Sequence, residues 1–149
     1  YEQKQIENML HSIVYLSSST SDLTEEELSR ILSTSRANNT AVDITGVLLY
    51  GKGSFIQVLE GEKLNIERLF TKIKQDIRHT GVTRLLSMDI FERNFPAWRM
   101  GFKKMKDVNE INLLNEQLDF KAKMSKNFPV QSPQIFKLLQ TFRDYNYQG

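Results

Sequence analysis

The chain has 149 residues, 40% of them hydrophobic and 26% charged, which predicts one soluble globular domain. A formal net charge of +2 is too small to indicate nucleic-acid binding, and the lack of cysteine excludes disulfides, thiolate metal sites and cysteine nucleophiles. The missing cysteine fits a reducing compartment, and no apolar run approaches the roughly 18 residues of a membrane span. We therefore expect a cytoplasmic protein without membrane contact. Because it starts at Tyr1 rather than Met, we expect a trimmed or partial chain.

Hydrophobic periodicity and turn residues predict alternating strands and helices in the first 106 residues. Thr24 and Glu27 form a capping box at the start of the first helix. Asn38 and Asn39 suit its end, because asparagine tolerates the left-handed conformation common there. Glycines on both sides of Lys52 predict a tight hairpin turn. In chain order the predicted elements are strand 11–17, helix 24–39, strands 44–50 and 55–59, helix 62–77, and strands 84–91 and 98–105.

This order predicts an α+β fold, a ferredoxin-like βαββαββ arrangement with a mixed five-stranded sheet and both helices on one face. Residues 108–118 and 133–145 also have helical periodicity, and Ser132-Pro133 is a suitable N-cap and first-turn pair. These two C-terminal helices could cover the other face of the sheet. We therefore expect a lead-in of residues 1–10, a domain of residues 11–106 and a helical extension of residues 107–149.

Gln57 is the residue that fits its surroundings least, because it stands between Ile56 and Val58 in an apolar strand. A buried amide without partners costs about 1–3 kcal/mol, so in a central strand Gln57 must bond to a fixed group. The alternative is that it faces solvent, as glutamine usually does. Tyr15 interrupts the apolar first strand in a similar way. It could bond to another functional group, or it could be an ordinary core tyrosine whose hydroxyl bonds to the backbone.

Other polar residues recur at spacings that place them on shared helix faces. The asparagines among them could offer amide groups to a planar heterocycle, or could simply cap the first helix. Arg78 and His79 close the second helix, and favourable interaction of basic residues with the negative end of the helix dipole would explain them without a ligand. On the fifth strand, core packing would explain a tryptophan and a methionine two positions apart. The candidates are Ile31, Ser35, Asn38 and Asn39 on the first helix, Ile73, Asp76, Arg78 and His79 on the second, and Trp98 and Met100 on the strand.

No pattern in the sequence indicates an enzyme or a metal site. The chain has only 2 histidines, and we find no Gly-rich phosphate loop, metal-spaced histidine pair or Ser-His-Asp set. An RNA-binding sheet is one alternative, because residues 52–58 partly mimic the basic-glycine-aromatic strand of such domains and Tyr15 could be the matching stacking residue. Ser54 stands where the first aromatic residue is needed, and the net charge is low. A small ferredoxin-like enzyme is another, but it would lack a credible nucleophile.

Several motifs, in this order and at this spacing, resemble the BLUF family of flavin-based blue-light sensors. The resemblance extends over residues 11–106, and the C-terminal helices match short, stand-alone members in outline. It implies a non-covalent flavin, usually FAD with FMN left open, held between the two helices by a sensor without net catalysis. The motifs are Ile13-Val14-Tyr15-Leu16-Ser17-Ser18, Asn38-Asn39 with Ile44-Thr45-Gly46, Phe55-Ile56-Gln57-Val58-Leu59-Glu60-Gly61, Asp76-Ile77-Arg78-His79 and Asn94-Phe95-Pro96-Ala97-Trp98-Arg99-Met100.

The resemblance also implies a role for each candidate. Tyr15 is the photo-oxidised electron donor, and Gln57 bridges it to the N5 and C4 carbonyl edge of the flavin. After electron and proton transfer, Gln57 rearranges by rotation or tautomerisation, and a new hydrogen bond to the C4 oxygen shifts absorption to the red. The fifth strand then passes the change to residues 106–149 and from there to a downstream signalling protein. We also expect a homo-oligomer that does not bind nucleic acid directly. For the remaining residues, Asn38 and Asn39 hold the pyrimidine edge, Ile31 and Ile73 sandwich the ring, Ser35 and Phe55 line the pocket, Asp76, Arg78 and His79 lie near the ribityl chain, and Trp98 and Met100 compete for the space beside Gln57.

Overall fold

The computed structural model describes residues 9–20, 23–51, 53–96, 99–104 and 133–148. Its strands form one sheet in the order β4-β1-β3-β2-β5, in which β5 pairs parallel with β2 and the other neighbours are antiparallel. The predicted α+β class is confirmed. None of the described helices is long and apolar enough to cross a membrane. The elements are strand β1 (Leu10–Ser19), helix α1 (Glu25–Ala41), strands β2 (Thr45–Gly51) and β3 (Ser54–Glu62), helix α2 (Lys63–Gln75), strands β4 (His79–Asp89) and β5 (Gly101–Lys104), and helix α3 (Pro133–Gln148).

The two faces of the sheet are covered by different helices, which explains why β1 and β3 are apolar on both faces. Successive strand residues point to opposite faces, so Tyr15 packs toward α1 and α2 while its neighbour Val14 packs toward α3. On the first face the core comprises Ile13, Tyr15, Leu48, Phe55 and Leu59 with Leu28, Leu32, Ile66 and Phe70 of the two helices. On the second it comprises Val14, Val47, Leu49, Ile56 and Val58 with Phe95 and with Ile135, Phe136, Leu139 and Phe142 of α3.

Helix α1 extends past its predicted end at Asn38 and Asn39 and finishes at Ala41. The Asn39 carbonyl accepts hydrogen bonds from the backbone N–H groups of Val42 (3.3 Å) and Ile44 (2.8 Å). The left-handed residue is Asp43, with φ of 55°, and not an asparagine. Two arginines hold Asp43 there, because Arg93 donates to its carbonyl oxygen (2.8 Å) and Arg99 to its carboxylate (2.5 Å).

Helix α2 ends at Gln75, before the predicted end at Ile77. The Asp76 carboxylate accepts hydrogen bonds from the backbone N–H of Arg78 (2.9 Å) and from its guanidinium (2.6 Å). Such a local bond from side chain to backbone competes with the helix and ends it. The prediction that His79 closes the helix is therefore wrong, because His79 already begins β4.

Strand β5 starts at Gly101 and not at residue 98, so the prediction that Met100 lies on this strand is wrong. The Met100 carbonyl accepts two hydrogen bonds from the Arg36 guanidinium on α1, and pairing with β2 begins one residue later, between Gly101 and Val47. Trp98 lies outside the described residues, and so does the predicted helix 108–118.

Gly46 allows β2 to approach β3 closely. Its φ is 153°, and a Cβ atom at this position would lie 1.8 Å from the carbonyl oxygen of Val58. Any side chain would therefore push β2 away from the strand that carries Gln57.

Glu60 ties β3 to the β4–β5 connection, by which we mean residues 90–100. Its carboxylate is fully buried and accepts hydrogen bonds from the Asn94 backbone N–H (3.1 Å), the Asn94 amide (2.7 Å) and the Phe95 backbone N–H (2.8 Å). Burial raises the pKa of the Glu60 carboxyl, although the three donors favour its ionised form. Glu60 thereby fixes Phe95 over the α3 side of the sheet.

Replacing Glu60 by Gln should lower the free energy of unfolding by about 1–3 kcal/mol, because an amide offers one acceptor oxygen and turns an NH₂ group toward N–H donors. The control is Glu62→Gln, at an exposed position of the same strand, which should change stability by less than about 0.5 kcal/mol. Urea denaturation of both variants measures the difference. Equal losses in the two variants would contradict the anchoring role of Glu60.

Candidate functional site

A cavity of about 150 Å³ is bounded by α1, α2 and the sheet face that carries Tyr15 and Gln57. The capping box at Thr24 starts α1 in the register that turns Ile31, Ser35 and Asn38 toward this cavity. Most of the residues predicted for a ligand site line it, namely Tyr15, Ile31, Ser35, Asn38, Asn39, Phe55, Gln57, Ile73, Asp76 and Arg78. Sequence reasoning missed Thr34, Leu48, Leu69 and Lys72, which also line it but stand in ordinary strand or helix patterns.

Tyr15, Gln57 and Met100 form a buried chain of hydrogen bonds. Antiparallel pairing sets Tyr15 directly opposite Gln57, and the Tyr15 hydroxyl donates to Gln57 Oε1. Gln57 Nε2 donates in turn to Met100 Sδ, at 3.2 Å. Gln57 is only 6% exposed, so the alternative that it faces solvent is excluded. The need for a fixed partner, inferred from its apolar neighbours, is met by Tyr15.

The surroundings of Tyr15 keep its phenol protonated. Burial raises the pKa of Tyr15, and the negative charge of Asp76 raises it further. The side chain is 1% exposed, and its ring lies 5.7 Å from that of Phe70 on α2. Tyr15 is therefore a stable hydrogen-bond donor to Gln57 at neutral pH.

Asn39 offers an amide nitrogen that no other described residue satisfies. The residue is 2% exposed, and its Nδ2 atom is buried without a hydrogen-bond partner among the described residues. Its backbone carbonyl accepts the hydrogen bonds of the chain reversal after α1, and the residue lines the cavity. Leaving such a donor unpaired costs about 1–3 kcal/mol, which a ligand carrying an acceptor would recover. The cavity thus suits a ring with carbonyl groups at one edge, flanked by the apolar side chains of Ile31 and Ile73.

Met100 was predicted for the site but is not among the residues that line the cavity. Met100 is 2% exposed and lies behind Gln57, which it reaches through its sulphur. The roles of His79, which begins β4, and of Trp98 stay predictions, because the His79 side chain and Trp98 lie outside what the structure describes. At the cavity wall, Arg78 is held by Asp76, whose hydrogen bonds raise the pKa of the Arg78 guanidinium.

The structure also assembles a Ser-His-Asp set, which sequence reasoning had missed. His11 Nδ1 lies 2.8 Å from Asp89 Oδ1, and His11 Nε2 lies 2.7 Å from Ser87 Oγ. This set could not be predicted from the sequence, because Ser87 is 76 positions from His11 and only the β1–β4 register brings the two residues together. The three residues are not among those that line the cavity described above, and their hydrogen bonds join β1 to β4. We assign them a structural role.

Comparison with known proteins identifies the family. Residues 10–101 match the family model described as BLUF, sensors of blue-light using FAD. A photoactivated adenylate cyclase subunit beta of Euglena longa is 40% identical over 91 residues, which are 61% of this chain and 11% of that protein. The chain spans about a tenth of the length of the first curated relatives that it matches.

Solved structures agree with the family match. BlrB, a BLUF protein in its dark state, has a TM-score of 0.67 and 26% identity, covering 84% of this chain and 92% of BlrB. BlrP1 of Klebsiella pneumoniae with FMN and cyclic diGMP has a TM-score of 0.71 and 27% identity, covering 91% of this chain and 35% of BlrP1. With the family model matching most of the sheet and both cavity helices, this chain belongs to the BLUF family of flavin-binding blue-light sensors.

Proposed function

We propose that this chain senses blue light through Tyr15 and Gln57, which act as a photoactive pair beside a flavin bound in the cavity. The observation that carries the proposal is the buried hydrogen-bond chain from Tyr15 through Gln57 to Met100. It lies at the wall of a cavity where Asn39 Nδ2 finds no partner among the residues that the structure describes. FAD is the cofactor that the family description names, and FMN shares the same light-absorbing ring.

The residues around the cavity would hold the flavin from several sides. Asn39 and Asn38 supply amide groups for the pyrimidine edge of the ring, and Ile31 and Ile73 supply apolar walls. Asp76 and Arg78, joined as an ion pair, are placed for the ribityl chain. This assignment gives an acceptor to the buried Asn39 Nδ2 atom, which has no partner within the described part of the chain.

When bound and excited by blue light, a flavin supplies a strong one-electron oxidant. Tyr15 is the electron donor in our proposal, and its hydroxyl proton is relayed through Gln57, whose Oε1 already accepts a hydrogen bond from it. Electron and proton then return to Tyr15, so no net oxidation or reduction remains and the chain performs no net catalysis. Gln57 is left in a second arrangement, reached by rotation or by tautomerisation.

Gln57 can hold two arrangements because its present partners bind it unequally. Its oxygen faces the strong phenolic donor of Tyr15, whereas its nitrogen faces the sulphur of Met100. A thioether is a weak acceptor, so little free energy is lost when the amide nitrogen turns elsewhere. A small difference between two states is what a light-driven population shift requires.

The β4–β5 connection is the route by which we expect the change to leave the site. This segment carries Met100 at the cavity side and Phe95 at the α3 side. The Phe95 ring lies 5.6 Å from that of Phe136 on α3, and Glu60 holds the Phe95 backbone. We assign residues 107–149 to an output extension that signals to a partner protein. The relatives named photoactivated adenylate cyclases suggest an effector of that kind.

An RNA-binding sheet is disfavoured by burial. Base stacking needs exposed aromatic rings on an open sheet face. Tyr15 and Phe55, the residues required for this role, are each 1% exposed and packed against α1 and α2.

Purified protein should be yellow, and brief blue light should shift its flavin absorption reversibly to the red. Replacing Gln57 by Leu should leave the flavin bound and abolish this shift, because leucine cannot exchange hydrogen bonds. Absorption spectra before and after illumination measure both properties. The control Gln75→Leu, at an exposed position on α2, should retain the shift. A normal photocycle in the Gln57→Leu protein would refute the role of Gln57.

Replacing Tyr15 by Phe should likewise abolish the red shift, since phenylalanine is hard to oxidise and has no proton to donate. Tyr50→Phe changes a tyrosine buried in the same layer and should retain the shift. Transient absorption spectroscopy checks both variants. Loss of the shift in both proteins alike, or in neither, would remove Tyr15 from its assigned role.

Illumination should alter amide hydrogen exchange in residues 106–149, because the β4–β5 connection contacts α3 through Phe95. The Gln57→Leu protein, kept under the same light, provides the unswitched reference. Exchange that is identical in dark and light would exclude this segment from the output route.

A further inference from the structure

We propose that Arg36 is a positioning residue that holds Met100 against Gln57 and so sets the balance between the two Gln57 arrangements. This inference rests on the proposed function, because it concerns the amide that switches. Arg36 belonged to none of the patterns that the sequence singled out.

Arg36 joins the cavity helix to the backbone of Met100. Its Nε and Nη2 atoms donate to the Met100 carbonyl at 3.1 and 3.0 Å, across 64 positions of sequence. A guanidinium presents its donors in a rigid planar fork, so two bonds to one oxygen fix position more tightly than a single ammonium could. Arg36 is thus a clamp from α1 onto the residue that contacts Gln57.

Met100 needs such a clamp, because its own side chain is flexible. Methionine has three rotatable bonds, so its sulphur is well placed only where the backbone and the surrounding core are fixed. The Met100 backbone precedes the first paired residue of β5, Gly101, and the Arg36 bonds hold it at this point. On the other side of the same residue, Sδ lies 3.2 Å from Gln57 Nε2.

The clamp acts through Met100 and not through the ligand. Arg36 is not among the residues that line the described cavity, although Ser35 and Asn38 beside it on α1 are. Because the sulphur is a weak acceptor, a small displacement of Met100 changes how well it holds the Gln57 nitrogen. Arg36 therefore biases the amide from outside the flavin site.

The test compares Arg36→Gln, which removes the charge and the fork, with Arg36→Lys, which keeps the charge. Arg30→Gln, at an exposed position on the same helix, is the matched control. Two properties are measured: the methyl resonance of Met100 in protein labelled with ¹³C-methyl methionine and kept in the dark, and the rate of thermal recovery after blue light. Met100→Leu assigns the resonance and provides the background for a double-mutant cycle.

We expect Arg36→Gln to shift the Met100 resonance and to change the recovery rate by about threefold or more, while flavin stays bound. Arg36→Lys should fall between this variant and the unmutated protein, and Arg30→Gln should match the latter. In the Met100→Leu background, Arg36→Gln should have no further effect on recovery.

An unchanged Met100 resonance or an unchanged recovery rate in Arg36→Gln would overturn the inference. An equal effect in the Met100→Leu background would overturn it too, because Arg36 would then act by another route. If the unmutated protein showed no red shift, the proposed function would fail instead. A normal red shift there, combined with a silent Arg36→Gln, would reject the clamp alone.

Discussion

The contact between the Tyr15 hydroxyl and the Gln57 carboxamide joins neighbouring strands inside the sheet, and the surrounding elements leave both residues almost fully buried. Antiparallel pairing of β1 and β3 sets the two residues opposite each other, and α1 and α2 close over that face. In water both groups would exchange partners freely. Both residues are almost fully buried here and bond to each other, so a change in this bond is felt by the neighbouring side chains.

The face of the sheet that packs against α3 contributes no residue to the described cavity. One segment connects this face to the cavity side. The β4–β5 connection places Met100 against Gln57 and Phe95 against α3. Its anchors are polar: the buried Glu60 carboxylate binds its backbone, and Arg93 and Arg99 bind the exposed Asp43 just after α1. A segment held at defined points can move as a unit, which suits a relay between two layers.

Much of the site could be predicted from the sequence, because strand and helix periodicity determine which residues share a face. Gln57 stood out through its apolar neighbours, and the spacing of Ile31, Ser35 and Asn38 placed them on one wall. The failures occurred where side chains redirect the backbone. Asp76 ended α2 early by accepting the Arg78 N–H, and the left-handed residue after α1 proved to be Asp43, held by arginines from a distant loop. The contacts of His11 with Ser87 and Asp89, and of Arg36 with Met100, depend on strand register and tertiary packing, which local patterns do not encode.

The burial that raises the pKa of Tyr15 has a consequence for the kind of signal such a protein reports. A phenol this well shielded keeps its proton over the whole range of acidity found in living cells. Changes in cellular acidity would then leave this hydrogen-bond donor in place. Any dependence of the switch on pH would have to come from other titratable groups.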